Sequence, residues 1–119
     1  MQISIKATGI ELTQAISNYV NEKIGGLEKF LKRMDAGAVE AKVEVGRSTL
    51  HHNKGKIFRA EVNLVIPGGL LRAEESSEDL YTSIDLVHDE IKRQIVSFKE
   101  KKIEKTVRKA RKSIEEEII

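Results

Sequence analysis

The chain has 119 residues, a net charge of +2 and no cysteine. That length fits one core and leaves no room for a second folded domain. The missing cysteines exclude disulfides, thiolate metal sites and cysteine nucleophiles. Apolar residues at 39% suffice for a two-layer core, while 34% charge implies a heavily solvated surface. No run approaches the roughly 20 apolar residues of a membrane span, so a cytoplasmic protein is expected.

In chain order, "QISIK" alternates Ile3 and Ile5 with polar neighbours, the period of a half-buried strand. From Thr13, a candidate N-cap, the apolar positions Ile16, Tyr19, Val20, Ile24, Leu27 and Leu31 recur at helical spacing and predict a helix to about Arg33. Gly25-Gly26 lies inside it, at a cost of about 1 kcal/mol per glycine relative to alanine, and predicts a kink. Residues 38–46 then put Val39, Ala41, Val43 and Val45 on one strand face. A polar loop, "RSTLHHNKG", leads to "FRAEVNLVI", with Phe58, Ala60, Val62, Leu64 and Ile66 inward. "PGG" supplies a turn, and a short strand "LLRAE" follows.

A final helix is predicted from about Ser77, where "SSED" offers a serine cap. Its apolar seam is Leu80, Ile84, Val87, Ile91, Ile95 and Phe98, with Arg93 on the opposite side. Beyond Ile103 the seam fades into either a helical extension or a disordered tail. The order β-α-β-β-β-α implies an α+β, two-layer fold: a four-stranded mixed sheet with both helices on one face. The other sheet face is left to solvent.

The segments "LRAEESSEDLYTSIDLVHDEIKRQI" and "GIELTQAISNYVNEKIGGLEKF" resemble the ribosome hibernation factor family, also called ribosome-associated inhibitors or sigma-54 modulation proteins. The resemblance covers about residues 1 to 102. It implies the same fold and a non-enzymatic protein that occupies the mRNA and tRNA channel of the small ribosomal subunit and stabilises inactive ribosomes. It also implies RNA contacts by bases of both helices: Lys23, Lys29, Lys32 and Arg33 on the first, and Lys92, Arg93, Lys99, Lys101 and Lys102 on the second. Where the family often continues with a dense basic run, this chain has Val96 and Ser97. On this reading, 1–102 is a ribosome-binding domain whose outward helix bases and exposed sheet face dock on small-subunit RNA, and 103–119 is a charged extension or linker. Long family members add a second domain that pairs ribosomes into dimers, and nothing after residue 102 resembles it.

Residue chemistry leaves alternatives beside that reading. Arg93 could form an ordinary helix ion pair with Asp89. In residues 99 to 112, eight of fourteen are Lys or Arg, which suits an RNA-binding extension or simply a solvated helix. The helix could also serve a protein-binding regulator as a partner helix, through Ile103, Val107 and Ile114. His51-His52 is too poor in further ligands for a metal site. A small enzyme using His88 with Asp85 or Asp89 would require a pocket converging on them. No nucleotide loop or other cofactor motif is present.

Overall fold

The computed structural model describes residues 1–32, 38–48 and 57–118. His51-His52 in the polar loop, and Arg33, therefore lie outside the described residues. Four strands, β1 (Gln2–Thr8), β2 (Glu40–Arg47), β3 (Phe58–Ile66) and β4 (Gly69–Ser77), form one sheet in the order β1-β2-β3-β4. β1 and β2 run parallel, with Ile3 beside Ala41, and the other two pairings are antiparallel. Helices α1 (Gln14–Gly25) and α2 (Leu80–Ile118) cover the same sheet face, as the alternation of apolar residues in the strands requires. No helix among the described residues is long and apolar enough to cross a membrane.

The buried set follows the periodicities. Val39, Ala41, Val43 and Val45 face Ala60, Val62 and Leu64, and the seam Leu80, Ile84, Val87, Ile91 and Ile95 seals them from above. Each valine, leucine or isoleucine among them contributes about 1.5–3 kcal/mol by leaving water. Phe98 ends the seam against the hairpin between β3 and β4. Gly68, at φ +85°, turns that hairpin, and a Cβ on Gly69 would stand 3.0 Å from the Phe98 ring.

Three boundaries differ from the sequence expectation. The first helix does not reach Arg33 as an α-helix. Thr13 caps its start by accepting from the Ile16 amide at 3.2 Å, but at Gly25-Gly26 the chain tightens into a 3-10 helix, Gly26–Leu31. Two successive glycines are the weakest place for α-helical winding, and the change still buries Leu27 and Leu31. The fourth strand extends to Ser77 because it pairs with β3 along its whole length, from Gly69 to Ser77.

Consequently α2 starts later and Asp79, not a serine, caps it. The Asp79 carboxylate accepts from the Thr82 amide at 3.0 Å and from its hydroxyl at 2.9 Å. Ser77 instead meets the buried Ser83, whose hydroxyl donates to the Phe58 carbonyl at 2.8 Å and ties the helix to the end of β3. Of the two expectations for the end of the chain, the helical extension is found: α2 continues without a break to Ile118.

Candidate nucleic-acid interface

α1, the 3-10 segment and α2 lie side by side, so bases far apart in sequence line one seam. Phe30 sits at its centre. The Lys29 and Lys92 ammonium groups approach the Phe30 ring centroid at 5.2 and 5.1 Å, and Lys99 donates to the Phe30 carbonyl at 2.9 Å. An aromatic ring holding two ammonium groups stabilises each by about 0.5–1 kcal/mol at an exposed site and sets their spacing without neutralising them. Lys32 is exposed just beyond, and Lys101 and Lys102 are exposed one turn further along α2. Among the described residues none of Lys29, Lys32, Lys92, Lys99, Lys101 and Lys102 forms a salt bridge.

Several acids of the same layer are already engaged. Glu28 meets the N-terminal amine at 3.3 Å, and Lys23 lies 3.5 Å from Asp85. Asp85 also accepts the Tyr19 hydroxyl proton, and that hydrogen bond, with burial and the carboxylate charge, pushes the Tyr19 phenol up to about 12. Lys23 is thus placed with the other bases but partly spent on Asp85. Tyr19 stacks edge-on with Tyr81 at 4.9 Å between centroids. Tyr81 is 37% exposed and packs on α1 through that contact.

Arg93 stands apart from this seam on the outer face of α2, 71% exposed. Its partner is Glu90 rather than Asp89. The guanidinium grips both Glu90 oxygens, Nε at 3.0 Å, because a three-residue step brings the two side chains together with fork geometry. Hydrogen bonds from Arg93 and then from Gln94 hold the Glu90 carboxyl down to about 2. Asp89 lies 2.9 Å from His88 Nδ1. Asp85 is committed to Tyr19 and Lys23, so the acids flanking His88 do not converge on it as a proton-transfer pair. Among the described residues no group of three potential ligands could hold a metal ion.

The open sheet face has a different electrostatic character. Its outward positions carry Lys6, Lys42, Arg59 and Arg72 against Glu40, Glu44, Glu61 and Glu74, so the charges cancel by number. Arg59 is the hub, 2.6 Å from Glu44, 2.9 Å from Glu61 and 3.4 Å from Glu74. Asn63, opposed by partial burial and assisted by Arg72 and Arg59, lowers the Glu61 carboxyl below its ordinary range. Three glutamates on neighbouring strands would repel one another without Arg59.

Sequence reasoning named the bases but missed Phe30 as the residue that gathers Lys29, Lys92 and Lys99. Its place in "LEKF", beside Lys29, was the available signal. It also missed Ser83, since a buried serine inside an apolar seam leaves no mark on the periodicity.

Comparison with known proteins adds to this geometry. Residues 3–115 match the family model described as sigma 54 modulation protein / S30EA ribosomal protein. The chain is 34% identical over 100 residues to a ribosome hibernation promotion factor of Deinococcus radiodurans, covering 83% of this chain and 50% of that one. It is 38% identical over 101 residues to another from Picosynechococcus, covering 85% and 50%. The chain thus spans about half the length of these relatives. Among solved structures it resembles the Thermus thermophilus Protein Y N-terminal domain, with a TM-score of 0.70 and 33% identity over 82% of this chain and 99% of that one. A ribosomal subunit interface protein from Coxiella burnetii shares the fold, with a TM-score of 0.61 at 20% identity over 83% and 98%.

Proposed function

The chain belongs to the sigma 54 modulation protein / S30EA ribosomal protein family, and from that premise we propose that it is a non-enzymatic ribosome-binding inhibitor of translation. In this reading it occupies the mRNA and tRNA channel of the small subunit and stabilises inactive ribosomes. Residues 1–102 form the binding domain, and the basic turns beyond extend the contact.

The observation that carries the reading is the seam at Phe30. Lys29 from the 3-10 segment and Lys92 and Lys99 from α2 converge there without salt bridges among the described residues. Packed ammonium groups on a rigid layer suit structured RNA, which is read by shape, phosphate and 2′-hydroxyl contacts rather than by base edges. Each phosphate neutralised releases counterions, so binding should weaken steeply with salt. We assign the helix layer, not the open sheet face, to the RNA, because the sheet's bases and acids are equal in number and its two arginines, Arg59 and Arg72, are already paired with glutamates.

The test is cosedimentation with small ribosomal subunits across a salt series. The wild-type chain should pellet with subunits at low salt and dissociate as salt rises. Lys29→Glu with Lys92→Glu should abolish association at physiological salt, and every phosphate left without its lysine should reduce the salt slope by about 1. Arg93→Glu should do less, since Glu90 already neutralises Arg93. Unchanged cosedimentation of the Lys29/Lys92 variant would reject the assignment of the seam.

A further inference from the structure

We propose that the free edge of β4 is a self-association surface, on which β4 of a second copy of this chain pairs antiparallel and continues the sheet across a two-fold axis. β4 ends the sheet, and its strand neighbour is β3 alone. The two-residue turn Pro67-Gly68 makes Ile66 and Gly69 a hydrogen-bonded pair, so every second residue from Gly69 to Ser77 bonds to β3. The N–H and C=O groups of Leu70, Arg72, Glu74 and Ser76 therefore point away from the sheet. Among the described residues the only partner of these groups is Gln94, which donates to the Arg72 carbonyl at 2.9 Å. A row of unused donors and acceptors is a template for one more strand.

Charge selects both the occupant and the register. The side chains of the same four residues stand on the open sheet face, where those of Arg72 and Glu74 are 62% and 44% exposed. An antiparallel copy centred on Ala73 sets Arg72 opposite Glu74 of the second chain, and Glu74 opposite its Arg72, with each pair exchanging two backbone bonds. A register centred on Arg72 would set arginine on arginine, and one centred on Glu74 would set glutamate on glutamate. The two-fold axis makes every contact twice, so a strand carrying one base and one acid two residues apart complements itself.

On the helix-covered face the axis passes Ala73, whose methyl leaves room for the strands to close. Gln94 gives up the Arg72 carbonyl, which then accepts from the Glu74 amide of the second copy, and keeps its bond to Glu90 at 3.1 Å. The opposite edge offers no such match. β1 presents Gln2, Ser4, Lys6 and Thr8 on the open face, one base and no acid. None of the β4 residues belongs to the Phe30 seam, so the pairing goes beyond the RNA reading and stands apart from it. One strand pair buries little apolar surface, so the association is concentration-dependent.

Sedimentation equilibrium of the 119-residue chain from about 10 μM to 1 mM reads the association. The weight-average mass should climb from 13.4 kDa toward twice that value. Arg72→Glu and Glu74→Arg, each alone, set like charges opposite one another and should hold the mass at the monomer value. An equimolar mixture of the two variants should regain the climb, because each chain then meets opposite charge at both positions. Amide hydrogen exchange on the wild-type chain is a readout that needs no variant. The Leu70, Arg72, Glu74 and Ser76 amides should gain protection as concentration rises. Those of Ile3, Ile5 and Ala7, which point away from β2 because Gln2 donates to the Val39 carbonyl, should not. A wild-type mass fixed at 13.4 kDa across the range overturns the proposal. So does a dimer whose β4 edge amides stay unprotected, or a mixture that associates no better than its components. Protection of the β4 amides that appears only when RNA is added also overturns it, in favour of a nucleic-acid contact.

Discussion

The two halves of α2 are one uninterrupted helix with opposite surroundings. From Leu80 to Phe98 an apolar seam lies on β3 and β4 and is sealed from water. From Lys101 to Ile118 every position is exposed, and among the described residues the apolar stripe has neighbours only at Ile103 and Val107, which line a groove with Phe30 and Leu31. Packing supports the first half. The second rests on good helix formers and local pairs such as Arg108 with Glu104 at 2.8 Å, each contributing about 0.3–0.5 kcal/mol. An amphipathic pattern therefore specifies a helix and a face, while the presence of a sheet beneath decides whether that face becomes core or remains available to a partner.

Truncation of the two stripes separates the halves most strongly. Ile95→Ala should destabilise the fold by about 2–5 kcal/mol, because Ile95 is completely buried and leaves a cavity. Ile103→Ala at low protein concentration should change stability by less than about 0.5 kcal/mol. Urea unfolding at matched dilution measures both, and equal losses would break the contrast.

A smaller effect distinguishes two serines of the same helix. Ser83→Ala should cost about 1 kcal/mol, since it takes the donor from the Phe58 carbonyl at the start of β3, while Ser77 keeps its bond to the Asp79 carbonyl. Ser113 only returns a bond to the Lys109 carbonyl at 3.1 Å, and Ser113→Ala should be neutral or slightly stabilising. The same urea series reports this difference.

The smallest effect is in acid. The folded-state pKa of Glu90, about 2, lies below its ordinary 4.5. Its pairing with Arg93 and Gln94 therefore stabilises the fold fully above about pH 4.5, and that contribution is lost as pH falls toward 2. Glu90→Gln should remove this acid limb from the pH profile of thermal stability. A profile unchanged by the substitution would show that the pair contributes nothing to folding.

Much of the fold was legible because burial imposes a period. The strands alternate, the helices repeat at three and four, and the residues named inward from periodicity in β2, β3 and the α2 seam lie in the core, except that Phe58 and Phe98 at the ends are only partly buried against it. The element ends were less legible. The choice between Ser77 and Asp79 as cap depended on how far β4 paired with β3, a long-range fact. The site was legible in residue type but not in arrangement. Lys23 and Arg93 were named alongside Lys29 and Lys92, yet the first is engaged by Asp85 and the second by Glu90.

By itself, the sequence determined the element order, the buried faces, the family and the residues able to carry positive charge. Those properties depend on local period, motif and composition. Only the tertiary structure decided which bases remain unengaged, that Phe30 gathers Lys29, Lys92 and Lys99, and that the open sheet face neutralises itself around Arg59. Charge acts through distance in space, and residues 30 and 99 are separated along the chain until packing places them side by side.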